Sequence, residues 1–203
     1  MWRYVDQIIE CRLSGPAVVL DGSGSSDPDG DPLTFEWKQI SGTAVTLATS
    51  GATASFPSPG VGTYVFELKV SDNHGASATA TIKIVVQDTV APQLSVVASP
   101  DSLWPPNHKL VSVSFAIQVS DACDLNPQVA LISAVSSEPA DDVGDGNTSL
   151  DIVDANVGTD NRNILLRAER SGTGSGRAYT ITYRATDASN KSSSASATVT
   201  VPH

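Results

Sequence analysis

The stretch YVFELKVSDNHGASATATIKIVV, residues 64–86, decides the fold. Tyr64, Phe66, Leu68 and Val70 alternate with Val65, Glu67 and Lys69, and Ile82, Ile84 and Val86 alternate around Lys83 and Val85. A period of two is what a strand with one buried face requires, and the intervening Asp72-Asn73-His74-Gly75 is built from turn formers. The stretch therefore reads as two antiparallel strands, 62–71 and 77–87, joined by a tight polar turn. The same template returns at 179–201 as YTITYRATDASNKSSSASATVTV: alternating strand, Asp, short polar turn, small residues, alternating strand. A repeat of this kind supports two related modules in tandem.

Working outward, period-2 segments bounded by Gly, Pro, Asp or Ser recur throughout, and no helical period is sustained. In the first half, strands are expected near 5–11, 17–24, 33–40, 44–48, 53–56, 62–71 and 77–87. In the second they fall near 93–98, 109–120, 127–136, 150–155, 163–170, 177–186 and 193–201. Seven strands in each half is the count of an immunoglobulin-like sandwich, so the fold class is all-β, two tandem immunoglobulin-like β-sandwiches. The boundary falls at QDTVAPQ, where Pro92 stiffens the exit from the last strand, giving domains 1–87 and 88–203.

The 203 residues carry 22 acidic and 12 basic side chains, a net charge of −10. That charge argues against nucleic acid or an anionic membrane as partner and suits divalent cations. No apolar run approaches a membrane span, so no membrane insertion is expected, and MWRYVDQIIECR lacks the basic and apolar regions of a secretory signal. The reading favoured is a fragment of a larger exported protein.

Residues 5–87, with AVVLDGSGSSDPDGDPLTFEWKQ, GTYVFELKVSDNHG and TATIKIVV, resemble a PKD domain, an immunoglobulin-like module of surface proteins. After Trp37 the chain reads KQISG where that family usually has Asp-Phe-Gly-Asp-Gly, which places it nearer the PKD-like variants of tandem bacterial arrays. Residues 88–203, with DTVAP, LWPPNHKL, SDACD and YRATDASN, are similar to the HYR-like or bacterial Ig-like modules of exported multidomain proteins. The resemblances imply a non-enzymatic module at the cell surface or outside the cell, bacterial in origin, and for the PKD part calcium binding in some members.

Calcium takes six to eight oxygens from carboxylates and carbonyls on bendable loops, which Asp spaced by Gly, Ser or Pro supplies. In a sandwich the second-to-third-strand loop and the sixth-to-seventh-strand loop reach the same end. Asp27, Asp29 and Asp31 are thus expected to converge with Asp72. The same argument brings linker Asp88, loop residues Asp121 and Asp124, and Asp187 to the N-terminal end of the second module, where a cation would stiffen the hinge. Clustered carboxylates raise one another's pKa unless a cation neutralises them. The alternative for the first set is a solvated Asp-Gly turn. A third acidic group, Asp141, Asp142 and Asp145 with Asp151 or Asp154, reads as an acidic loop without EF-hand spacing.

Cys11 ends the first strand and Cys123 lies in the loop with Asp121, both on the junction side, so a Cys11–Cys123 disulfide is expected, with two free or intermolecular thiols as the alternative. No Ser-His-Asp ordering, His-Glu-x-x-His or phosphate loop is present, and His74, His108 and His203 read as surface side chains, so no catalysis is expected. Trp37 is expected in the core. Trp104, beside Pro105 and Pro106, is expected to pack on a strand edge; the alternative is an exposed platform for a sugar ring. The sequons NTS (147–149) and NKS (190–192) matter only in a glycosylating host.

The expectation is a calcium-binding, non-catalytic structural or adhesion tandem whose partners are other modules of the same parent protein or copies of itself, or else polysaccharide or an extracellular protein. Two rival readings are a self-assembling fibre subunit, with edge strands pairing between copies, and a substrate-binding accessory module of a secreted hydrolase using Trp104.

Overall fold

The computed structural model describes residues 6–140, 148, 150–172 and 175–203. The expected acidic group Asp141, Asp142 and Asp145 lies outside the described residues. The chain divides into two compact units, Met1–Thr89 and Val90–His203, a boundary two residues beyond the one read from QDTVAPQ. Among the described residues there are strands and no helix, hence no helix long and apolar enough to cross a membrane.

The first unit holds β1 (Gln7–Glu10), β2 (Val18–Asp21), β3 (Thr34–Ser41), β4 (Ala48–Ser50), β5 (Thr53–Phe56), β6 (Gly62–Ser71) and β7 (Ser77–Gln87). They form two sheets, β1-β7-β6-β3 and β2-β5-β4. The alternation in 64–86 is realised as expected: Tyr64, Phe66, Leu68, Ile82, Ile84 and Val86 are buried, and β6 pairs antiparallel with β7 from Gly62↔Val86 to Ser71↔Ser77. Phe56 of the facing sheet stacks on Phe66 at 4.8 Å between ring centroids. Trp37 is buried opposite Leu68, and its indole N–H donates to the Ala52 carbonyl at 3.1 Å, fastening the two sheets to each other.

One strand differs from expectation. The segment expected at 44–48 pairs only at Ala48–Ser50, because the Gln39 amide occupies the preceding backbone: Nε2 donates to the carbonyls of Ser41 and Thr43, and Oε1 accepts from Val45 N–H. Gly42 makes the turn possible, since its φ is +97° and a Cβ there would lie 2.4 Å from the Thr63 carbonyl.

The second unit holds β8 (Gln93–Ser99), β9 (Leu110–Ser120), β10 (Gln128–Ser136), β11 (Ile152–Val153), β12 (Asn163–Arg167), β13 (Gly176–Thr186) and β14 (Ser192–Pro202). The sheets are β11-β12-β9-β8 and β10-β13-β14, the four-plus-three arrangement of a constant-type immunoglobulin domain. Its core includes Val113, Phe115, Leu131, Ile164, Tyr183 and Val199. The strand expected at 150–155 shrinks to two residues because Leu150 and Asp154 take φ of 71° and 63°, values that leave the ladder.

Trp104 departs from its expected packing. Leu103 occupies the buried slot, its N–H donating to the Thr200 carbonyl at 2.8 Å, and Trp104 next to it is 65% exposed.

Candidate functional site

The repeated turn after β6 and β13 places one Asp identically in both units. Asp72 Oδ1 accepts the N–H groups of His74 and Ala76 at 2.8 and 2.9 Å. Asp187 Oδ1 accepts those of Ser189 and Lys191, both at 2.8 Å. Each carboxylate thus closes its own loop, which is the turn chemistry of Asp.

Their surroundings differ. Asp72 is half-buried, and the loop opposite it is held by local bonds: Asp27 Oδ1 accepts from the N–H groups of Asp29 and Asp31, and Asp31 pairs with His74 Nδ1 at 3.0 Å. The two loops meet at one end of the unit, as the strand order requires. Among the described residues one group of three or more metal-ligating side chains lies within 4.8 Å of one another, and Asp27, Asp29, Asp31 and Asp72 are not part of it. Asp21, at the end of β2, accepts from Ser23, whose hydroxyl and N–H together hold its carboxyl below the usual range.

That group includes Asp121 and Asp187 of the second unit, each with a carboxylate oxygen within 4.8 Å of the other. Asp187 is 5% exposed, and its Oδ2 is buried without a hydrogen-bond partner. Asp121 uses Oδ1 to accept the N–H groups of Cys123 and Asp124 at 2.7 and 2.8 Å. Two carboxylates this close, one of them buried with an unsatisfied oxygen, form a site of unbalanced negative charge. Asp124 plays another part: its Oδ1 accepts Asn126 N–H and its Oδ2 accepts Ala188 N–H at 2.9 Å, so it ties the two loops together outside the carboxylate group. Asp88 is buried in the linker.

Sequence reasoning missed a second concentration of charge. Arg177, on β13, is fully buried, and its guanidinium reaches Glu138 Oε2 at 3.2 Å, the Pro139 carbonyl at 3.0 Å, and Asp151 Oδ2. Glu169, also buried, stands 3.6 Å from the same Nη1 and accepts from Thr148 and, at 3.3 Å, faces His108. Arg167 donates to the carbonyls of His108 and Leu150, two residues held at positive φ. Burial and the adjacent Glu169 push Asp151 up to about 6. The signal was present: Arg177 occupies the same face of its strand as Tyr179, Ile181 and Tyr183.

Residues 8–86 match a family model described as K319L-like, PKD domain. This covers the first unit and agrees with the resemblance read from its loops. No curated protein matches the chain. Among solved structures, the PKD domain from KIAA 1837 protein is 26% identical over 43% of this chain and 85% of that one, with a TM-score of 0.38. A nucleoside hydrolase-related hypothetical protein from Saccharophagus degradans associated with carbohydrate metabolism is 30% identical over 40% of this chain and 22% of that one, at 0.34. Human protocadherin-24 EC1-2 aligns with 97% of this chain and 93% of its own at 14% identity and 0.35. Likenesses this loose carry no functional argument.

Proposed function

We propose that the chain is a non-catalytic structural or adhesion segment of an exported protein, a PKD-like module followed by an HYR-like or Ig-like one, in which calcium binds at the loop end of the second module. Asp121 and Asp187 are the core of that site. The observation that carries the reading is the buried, unpartnered Oδ2 of Asp187 beside Asp121. A hard cation with several oxygen ligands supplies what that oxygen lacks, and calcium suits a bendable carboxylate loop better than smaller ions. The part played by this chain is to hold the carboxylates ready: the Asx turns fix both loops, and Asp124 clips one to the other.

The proposal includes a Cys11–Cys123 disulfide, the pairing expected from the sequence. Alkylation without reductant followed by mass spectrometry is expected to leave both unlabelled; two labelled cysteines in the monomer would remove that part. For the metal, the test is thermal melting in calcium against EDTA. A ligand bound only to the folded state stabilises by about 2.7 kcal/mol at a hundredfold excess over Kd. No shift at millimolar calcium would defeat the calcium reading.

The exposure of Trp104 favours a second reading, an accessory binding module whose indole stacks on a sugar ring. Pull-down on insoluble polysaccharide, with loss in Trp104→Ala, is its test.

A further inference from the structure

The first unit carries an incomplete sheet edge over an acidic cleft. β6 covers the inner side of β7 from Ser77 to Val86, whereas on the outer side β1 pairs, in parallel, only with Ile84–Gln87. Just before β1, Asp6 meets Lys83 at 2.7 Å. Among the described residues no strand pairs with the outer edge from Ser77 to Lys83, so its outward N–H and C=O groups form a template for another strand. The usual guards are few: Ser-Ala-Thr-Ala-Thr-Ile-Lys contains no proline and one charge.

Alongside this edge lies a cavity of about 670 Å³, bounded by Ser77–Ala80 on one side and the turn after β2 on the other. Its apolar wall is Leu33, Leu68 and Val70, and its charged groups are Asp21, Asp27 and Asp72, with no basic side chain among the lining residues. Side chains of an added strand alternate, so every second one would point toward the cleft. Lysine and arginine fit such a site, laying their methylene stems on the apolar wall and their charge among the carboxylates.

We propose that this edge takes an added strand from another protein: an extended basic segment, in line with β1, whose alternate lysine or arginine side chains enter the cleft. β1 shows how the strand is added, and the three carboxylates set the sign of what enters. The site is separate from the carboxylates of the second unit.

The experiment is an anisotropy titration of the full chain with two labelled, end-capped peptides, Val-Lys-Val-Lys-Val-Lys-Val and its Glu counterpart, with segment-resolved hydrogen exchange on the complex. The lysine peptide is expected to bind at least tenfold more tightly than the glutamate one and to slow exchange within Ser77–Lys83. Asp21→Asn/Asp27→Asn/Asp72→Asn is expected to weaken it tenfold or more, since asparagine keeps the Oδ1 acceptors that close the loops. Equal binding of both peptides, no binding at millimolar concentration, or binding without slowed exchange in Ser77–Lys83 would overturn the proposal. So would binding that emerges only after deletion of residues 1–5, which would assign the edge to the chain's own N-terminus.

Discussion

The two units build the same turn from the same Asp and then treat its charge differently. Asp72 and Asp187 accept matching pairs of N–H groups, yet Asp72 stays half-exposed while Asp187 is buried with one oxygen unsatisfied. The contrast extends to the rest of each unit. Among the described residues outside the linker, the buried charged ones, Asp151, Glu169, Arg177 and Asp187, all belong to the second unit. The first is held by apolar and aromatic packing around Trp37, Phe56 and Phe66, and keeps its acids at the surface. Local sequence fixes turn chemistry; what the turn can do depends on what surrounds it.

Removing one partner from the buried network breaks the contrast most severely. Arg177→Ala leaves Asp151 and Glu169 without their main counter-charge and is expected to destabilise the second unit by about 3–5 kcal/mol. Segment-resolved hydrogen exchange should show faster opening of β12 and β13 with β3 and β6 unchanged. A loss spread equally over both units would contradict the separation.

Acidity sharpens the same comparison. Asp151 has a folded-state pKa of about 6, above its ordinary 3.8, so protonation favours the folded form. The stabilisation is full below about pH 4 and is lost as pH rises through 6. Lowering pH from 7 to 5 is therefore expected to stabilise the second unit by about 1 kcal/mol. Arg177, Arg167 and Glu169 interact with this carboxyl, with Glu138 and Tyr179 bonded to Arg177 and His108 to Glu169 behind them, and Asp151→Asn should remove its part of the dependence. An unchanged pH profile in that variant would refute the assignment.

Asp187→Asn in EDTA removes a buried charge with an unsatisfied oxygen, and is expected to raise stability by on the order of 1 kcal/mol. The matching Asp72→Asn, in a half-exposed turn, should change stability by no more than about 0.5 kcal/mol. Equal effects of the two, measured by denaturant unfolding, would erase the distinction between the turns.

Much of the fold was legible because its determinants are periodic. The alternation in 62–71, 77–87 and 177–186 fixes both strand position and inward face, and the structure keeps all three. What was not legible depended on side chains acting at a distance. Gln39 displaced β4 by seizing the backbone of its own loop, and nothing in a period-2 pattern encodes that. Leu103 rather than Trp104 filled the buried slot, because the Thr200 carbonyl fixes the register there. Strand order correctly implied that the loops bearing Asp121 and Asp187 meet. It could not distinguish Asp187, whose second oxygen is orphaned, from Asp124, whose two oxygens are both occupied by N–H groups. The buried ion network was readable only at Arg177; its partners Glu138, Asp151 and Glu169 come from segments without a clear period.

The central claim is that the second unit's buried carboxylates, and not the first unit's matching turn, hold calcium. Its most direct test is calcium titration followed by thermal melting of the wild type, Asp187→Asn and Asp72→Asn. The account predicts a calcium-dependent rise in melting temperature for the wild type and Asp72→Asn, and none for Asp187→Asn. A wild type indifferent to millimolar calcium, or a rise that survives Asp187→Asn and disappears in Asp72→Asn, would contradict it.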